Sequence, residues 1–207
     1  MSTARDPDWH ADLQRCGMRR PLLKEQSLWA LWVYRFGRRV DRRPPGIVRR
    51  MLTSWYWLLF RAAETATGIS LPKSATIGPG LRIWHFGGIF LHPQATLGAN
   101  CTLRQGVTIG NREEDGPVPV IGDDVEFGAY AQVLGGVRIG NGCRIGALSV
   151  VLQDVPDGAT AVGVPARVVT RGDESLNEIS KEQLSKQSNG IDHMSTEVNV
   201  VQLKGIA

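Results

Sequence analysis

Aliphatic residues recur every six positions from Leu71 to Val151, and this period predicts a mainly β chain that folds as a parallel β-helix of hexapeptide repeats. Two further observations complete the predicted fold class. The first 69 residues contain amphipathic helical patterns, and residues 171–207 are polar and lack the six-residue period. We therefore expect a small N-terminal α-helical segment (1–69), a β-helix domain (70–170) and a flexible polar C-terminal tail (171–207).

Two helices are predicted before the repeats. The first extends from Leu22 to Val40, with Ser27 as a candidate N-cap, and it ends at the proline-containing stretch Arg42–Gly46. The second covers Ile47–Thr67, and Gly68 is a typical residue to end a helix. In both segments apolar side chains repeat at intervals of three or four residues, which is typical of a helix that buries one face.

The six-residue repeat has one aliphatic or aromatic position per unit. These positions are Leu71, Ile77, Ile83, Leu91, Leu97, Leu103, Ile109, Ile121, Phe127, Val133, Ile139, Ile145 and Val151. The frame is interrupted by a two-residue slip at Ile89-Phe90 and by the segment 111–120. Three units close one coil, and stacked coils place the aliphatic side chains in ladders inside the β-helix.

Four positions after the aliphatic residue, small or apolar residues also point inward. Because Cys101 and Cys143 are among them, we expect core cysteines rather than metal ligands or disulfide partners.

The charge distribution sets the N-terminal segment apart. Net charge is +4, but residues 1–70 hold 13 Lys and Arg against 6 Asp and Glu, whereas residues 71–207 hold 11 against 14. No apolar run reaches the ~18 residues that a membrane-spanning helix needs, and no secretory signal is visible, so we expect a cytoplasmic protein. No recognition motif accompanies the basic charge, so no nucleic-acid partner is expected.

Two motifs carry a resemblance to a known family. The stretch Trp84–Ile89 (WHFGGI) is followed at family spacing by Leu103–Gly110 (LRQGVTIG), and the frame closes with Ser149–Pro156 and Gly163–Arg167. Over about residues 69–170 the chain resembles the hexapeptide-repeat acyltransferases, and within them it is most similar to the serine acetyltransferase branch. The resemblance implies a left-handed β-helix, a homotrimer and acetyl-CoA as the acetyl donor.

The same resemblance implies that His85 is the catalytic base. A hydroxyl that attacks a thioester must lose its proton, and imidazole is the side chain whose pKa lies near the working pH. No metal is expected, because the thioester is already activated. His92, which precedes Pro93 at the slip in the frame, is expected to be structural, and His10 and His193 are given no role.

Cofactor contacts are also implied by the resemblance. They are Gly110, next to the site; Ala129 and Ala147, where the pantetheine arm lies; and Pro165, Ala166 and Arg167, near the adenine end. Small residues let the backbone approach the ligand closely, and Arg167 is expected to meet a phosphate.

The chain departs from the family at the acceptor site. Serine acetyltransferases have an aspartate immediately before the catalytic histidine and another fifteen residues before it, where this chain has Trp84 and Ser70. Pro117-Val118 lie where the family has an Arg-His pair. Because the groups that would hold the charges of an amino acid are missing, free serine is not the expected acceptor.

The residues present instead suit a sugar. Trp84 and Phe86 flank the base, and aromatic rings pack well on the apolar faces of pyranose rings. Asn111 and Arg112, in the polar loop that interrupts the frame, supply groups for sugar hydroxyls. The sequence thus predicts O-acetylation of a sugar in exopolysaccharide or other surface-glycan synthesis. Two alternatives stay open: serine O-acetylation by an altered site, and a non-catalytic trimeric β-helix scaffold.

The basic, Trp-rich helices have three interpretations. They pack on the β-helix, they join trimers into larger assemblies, or they lie on the inner face of a membrane that carries anionic lipids. Packing on the β-helix is the simplest of the three.

Overall fold

The computed structural model describes residues 7–17, 25–85 and 87–169. Within them, three helices precede a parallel β-helix of about five coils. The helices are α1 (Pro7–Cys16), α2 (Ser27–Asp41) and α3 (Ile47–Thr67). The predicted tail (171–207), with His193, lies outside the described residues.

Fifteen short strands form the described part of the β-helix. They are β1 (Ile69–Ser70), β2 (Thr76–Ile77), β3 (Arg82–Trp84), β4 (Ile89–Leu91), β5 (Thr96–Leu97), β6 (Thr102–Arg104), β7 (Thr108–Gly110), β8 (Val120–Ile121), β9 (Glu126–Phe127), β10 (Gln132–Leu134), β11 (Arg138–Ile139), β12 (Arg144–Ile145), β13 (Val150–Val151), β14 (Thr160–Gly163) and β15 (Ala166–Val169). From β1 to β13 every third strand joins the same sheet, and β14 and β15 then extend sheet 3. Sheet 1 has the order β1-β4-β7-β10-β13, sheet 2 the order β2-β5-β8-β11, and sheet 3 the order β3-β6-β9-β12-β14-β15.

The core confirms the predicted frame. All thirteen aliphatic and aromatic positions of the repeat are buried, and they form one cluster that fills the inside of the coils. Cys101 and Cys143 are fully buried within this cluster and form no disulfide, as expected for core cysteines. The inward side chains of successive coils stack at the ~4.8 Å spacing of neighbouring strands, which makes the interior a continuous apolar column.

The helices pack on the first coil, as the simplest interpretation predicted. The Arg35 guanidinium on α2 donates to the Asp12 carboxylate at 2.8 and 3.1 Å and to the carbonyls of Ile77 and Gly78 at 2.9 and 2.7 Å. Asp12 also accepts a hydrogen bond from the Leu81 amide at 2.9 Å. This buried ion pair therefore ties α1, α2 and the β-helix together.

Helices α2 and α3 approach each other closely at Gly37. A Cβ at this position would lie 2.5 Å from the Tyr56 ring, so only glycine fits. The Tyr56 hydroxyl in turn accepts a hydrogen bond from the Lys73 amide at 2.9 Å. The contact anchors α3 to the turn that follows β1.

Three details of the helical prediction are wrong. The first predicted helix was expected to begin at Leu22, but α2 begins at Ser27, and Glu25 and Gln26 before it are not helical. Helix α1 was not predicted, because its buried residues, Asp12 and Cys16, do not form an apolar pattern. Ser27 is the first residue of α2 rather than its N-cap, and its hydroxyl lies 3.2 Å from the Glu25 carboxylate. The ends of α3 agree with the prediction, and Gly68 ends it with φ of 64°.

Candidate active site

The turns that lead from sheet 3 to sheet 1 form one edge of the β-helix, which we call the His85 corner. It comprises residues 85 and 87–88 of the first coil, 105–107 of the second, 128–131 of the third and 146–149 of the fourth. Backbone hydrogen bonds keep these turns in register: Gly106 N donates to Gly87 O at 3.0 Å, Tyr130 N to Gln105 O at 2.8 Å and Leu148 N to Ala129 O at 2.9 Å. The corner is thus a straight, rigid edge that runs along the axis of the β-helix.

His85 is exposed at the first coil of this corner. Its φ of 62° lies in the left-handed region, which is uncommon for a residue with a side chain. Tyr130 and Leu148, at the same corner, have φ of 59°. The left-handed backbone is therefore a property of the corner, and it turns each side chain outward. Within the described residues of one chain the His85 ring makes no hydrogen bond.

Trp84, immediately before His85, is held by a buried arginine. The Arg82 guanidinium carbon lies 4.3 Å from the centre of the Trp84 ring, and Arg82 is only 5% exposed whereas Trp84 is 44% exposed. The Glu25 carboxylate lies 3.8 Å from Arg82. A desolvated guanidinium attracts an aromatic face strongly, so Arg82 holds the Trp84 ring in place. Phe86 lies outside the described residues.

Gln105, which the sequence analysis did not single out, lies one coil below His85. Its side-chain carbonyl is buried and has no hydrogen-bond partner within the described residues. Such a group is costly to leave unpaired, so Gln105 is a further polar side chain to consider at this corner. The only sequence signal was its place in the Leu103–Gly110 motif.

The residues expected to contact the cofactor do not all lie at the same edge of the β-helix. Ala129 and Ala147 lie on the His85 corner, two and three coils below His85, so this part of the corner extends over about 14 Å at the usual strand spacing. Pro165, Ala166 and Arg167 follow β14, at the last described coil of the β-helix. The corner is thus a long, narrow edge.

Gly110, Asn111 and Arg112 lie at the other edge of sheet 1. Gly110 ends β7, and its carbonyl accepts a hydrogen bond from Gly135 N at 2.8 Å. The Asn111 amide donates to Glu113 O at 2.7 Å within the loop, and Arg112 lines an open cleft of about 530 Å³. Within one chain, the structure therefore does not bring these three residues to His85.

No group of three or more His, Cys, Asp or Glu side chains in the described ranges is arranged to hold a metal ion. The expected structural residue His92 is partly buried, and its ring nitrogen lies 3.2 Å from the Gln94 amide. His10 lies on α1, within 3.2 Å of Gln14.

Known proteins are similar to this chain in sequence and in architecture. Residues 119–153 match the family described as bacterial transferase hexapeptide (six repeats). The serine acetyltransferase of Bacillus pumilus is 34% identical over 158 residues, which cover 75% of this chain and 70% of that protein. The chain belongs to the hexapeptide-repeat transferase family. Its homologues are serine acetyltransferases, and the Bacillus subtilis enzyme is 32% identical over 157 residues, covering 75% of this chain and 69% of that enzyme.

Solved structures of the family extend the comparison to the fold. The serine acetyltransferase of Neisseria gonorrhoeae has a TM-score of 0.67 and 33% sequence identity; the match covers 79% of this chain and 64% of that one. A serine acetyltransferase solved in complex with CoA has a TM-score of 0.65 and 28% identity, over 78% of this chain and 68% of that one. This hexapeptide transferase is an acetyl-CoA-dependent acyltransferase.

Proposed function

We propose that this transferase acetylates a sugar hydroxyl in the synthesis of an exopolysaccharide or another surface glycan, in the cytoplasm. The observation that carries the proposal is Trp84, a half-exposed ring fixed by Arg82 next to His85, where serine acetyltransferases have an aspartate. An aromatic ring binds the apolar face of a sugar, whereas it lacks the negative charge with which an aspartate pairs with the ammonium group of serine.

The mechanism follows from the position of His85. Its imidazole takes the proton of the acceptor hydroxyl as the oxygen attacks the thioester carbonyl carbon, and it returns that proton to the CoA sulfur when the carbon–sulfur bond breaks. Backbone N–H groups of the corner are suited to stabilise the negative charge on the carbonyl oxygen. Acetyl-CoA, when bound, supplies the activated acetyl group. Ala129 and Ala147 leave space for its pantetheine arm along the corner, and Arg167 is suited to its phosphates.

A homotrimer is part of the proposal. The His85 corner exposes large apolar side chains, with Tyr130 55% and Leu148 68% exposed, and Val164, after β14, is 71% exposed; such side chains suit a surface that a ligand and a second chain cover. Asn111 and Arg112 lie one sheet width from their own His85, so a neighbouring chain that packs against this corner would bring its loop to the acceptor.

Serine is the second candidate acceptor. Its support comes from the relatives, which are named serine acetyltransferases, and from one solved structure of the Neisseria gonorrhoeae enzyme in complex with serine. Against it stand Trp84 and Ser70, which carry no charge at the positions of the two family aspartates.

One experiment separates the two acceptors. Release of the CoA thiol from acetyl-CoA is measured with purified protein and L-serine and, in parallel, with a panel of sugars and nucleotide sugars. Saturable release with a sugar and none with serine is the expected result. Saturable release with serine would overturn the sugar proposal, and silence with every soluble acceptor, despite CoA binding, would direct the search to polymeric or lipid-linked acceptors.

A further inference from the structure

Helix α3 carries an apolar face that nothing in the described chain covers. The residues of this face are Ile47, Val48, Met51, Trp55 and Leu58, and each is between 55% and 71% exposed. Their spacing of three or four residues places them in one stripe along the helix, next to the side that packs on α2. Exposed apolar residues so closely grouped mark a binding surface rather than scattered surface hydrophobes.

A groove between α2 and α3 continues this apolar face. Its volume is about 390 Å³, and its lining is almost entirely apolar: Trp29, Trp32, Val33, Leu59, Ala62, Ala63 and Ala66. Trp29 and Trp32 are 42% and 37% exposed, so the rings form an open wall rather than a closed core. Tryptophan is the side chain that collects at the interface between lipid and water.

Positive charge lies at the start of the apolar face, where Arg49 is also 3.8 Å from the Asp41 carboxylate. Residues 27–67 hold eight arginines against two acidic residues, Asp41 and Glu64, and among the eight Arg35 alone is buried. Arg49 and Arg50 line an open cleft beside Ile47, at the start of the face, and Arg43 is exposed in the connection before it. An apolar stripe with cationic side chains at its start is complementary to a surface of anionic headgroups over hydrocarbon.

We propose that the apolar face of α3 and the α2–α3 groove dock this enzyme on the surface of an anionic lipid bilayer. No helix in the described part of the chain is long and apolar enough to cross a membrane, and the proposed contact needs none. The face lies in the plane of the headgroups, with Trp55 and Met51 inserted among the acyl chains and the arginines paired with lipid phosphates.

Docking in this way brings the site to the membrane. Helix α3 ends at Gly68, where a Cβ would lie 3.2 Å from the Gly87 Cα, and the Gly68 carbonyl accepts a hydrogen bond from Ile89 N at 3.0 Å. The turn that carries His85 therefore touches the end of the docking helix. This step rests on the proposed function. A site held at the membrane surface favours, as its acceptor, a glycan hydroxyl that is carried on a membrane lipid.

Vesicle sedimentation tests the proposal with full-length protein. Vesicles of phosphatidylcholine alone are compared with vesicles that contain phosphatidylglycerol, for wild type, a Met51→Ser/Trp55→Ser double variant, Arg50→Glu and the control Val120→Ser, whose side chain is 40% exposed on sheet 2. Wild type and the control are expected to bind the anionic vesicles. The double variant should lose about tenfold or more in partitioning, because two large apolar side chains no longer insert. Arg50→Glu should lose about fivefold or more on anionic vesicles and little on neutral ones.

Two results would overturn the docking face. One is wild-type protein that stays in the supernatant with anionic vesicles; the other is a double variant that sediments like wild type. If the face instead joins two copies of the chain, the double variant will lower the molar mass in light scattering and wild type will not bind vesicles. A His85→Ala variant should bind vesicles like wild type, so a failure of the acetyl-transfer proposal is distinguishable from a failure of docking.

Discussion

At the residue scale, the chemistry of the site depends on which side chains flank His85. Arg82 is nearly fully buried, yet its only charged neighbour among the described residues, Glu25, is 3.8 Å away. Its Nε has no hydrogen-bond partner there. Its closest aromatic contact is the Trp84 ring, so part of the cost of burying this guanidinium is offset by the π face. Arg82 is thus a positioning residue for Trp84.

Replacement of Arg82 tests this role. For Arg82→Met we expect KM for the acceptor to rise about fivefold to tenfold with a smaller change in kcat, because the Trp84 ring, which is proposed to contact the acceptor, loses its support. Arg82→Lys, which keeps the charge, should restore part of the loss. The matched control is Arg144→Met, an exposed arginine on the same sheet. Equal KM values for Arg82→Met and wild type would show that Trp84 does not depend on Arg82.

The cysteines give a prediction about thiol chemistry. Burial raises the pKa of Cys101 to about 11 and also raises that of Cys143, and Cys16 is buried as well. Since the thiolate is the reactive form, the Cys101 thiol should stay inert until the pH approaches 11 or the protein unfolds. Titration of native protein with a thiol reagent at pH 8 should detect little or no reaction, and all three thiols should appear in denaturant. Fast reaction of Cys101 at pH 8 in folded protein would contradict the buried position.

At the element scale, the helical segment is held to the first coil by a buried ion pair. Burial raises the pKa of Asp12, while the Arg35 guanidinium beside it opposes that rise. Removing one partner leaves an uncompensated buried charge, so Asp12→Asn should reduce the free energy of unfolding by about 3 kcal/mol. The measurement is urea denaturation. A double variant, Asp12→Leu/Arg35→Met, should recover part of the loss, and an unchanged midpoint for Asp12→Asn would contradict the account.

Some elements of the fold could be predicted from the sequence better than others. The β-helix was predictable because each coil must place the same kind of side chain inside every six residues, and that constraint is local. The frame also predicts which residues share the His85 corner. His85, Ala129 and Ala147 each follow an anchor by two residues, and the anchors Ile83, Phe127 and Ile145 all lie on strands of sheet 3. Asn111 follows Ile109, an anchor of sheet 1, by two residues. The same count along the frame could therefore have shown that Asn111 lies at a different edge of the β-helix from His85.

Other features depend on contacts that are distant in sequence. Arg82 looks like an outward-facing strand residue, but it is buried, because the helical segment packs against β3 and places Glu25 3.8 Å from the guanidinium. Helix α1 is short and buries an aspartate, which no apolar pattern reveals. In the proposed trimer the acceptor site likewise depends on a second chain, which the sequence could suggest only through the absent family aspartates.

At the scale of the whole molecule, the proposed trimer predicts a mass in solution. Light scattering should give a multiple of three times 22.7 kDa, or about 68 kDa for one trimer. Tyr130→Asp and Leu148→Asp place charges on the exposed His85 corner and should lower that mass, whereas Val120→Asp on sheet 2 should not. A monomer of wild-type protein at micromolar concentration would contradict the proposal that a second chain completes the site.

The most direct test of the account is the rate of acetyl transfer by His85→Ala, with the acceptor that gives the fastest thiol release by wild type. Loss of the general base should reduce kcat by about 10²-fold or more, while binding of CoA stays close to that of wild type because its proposed contacts lie on other coils. His85→Gln, which keeps a polar side chain but cannot act as a base, should fall equally. A His85→Ala variant that retains kcat within about threefold of wild type would contradict the assignment of His85 as the catalytic base.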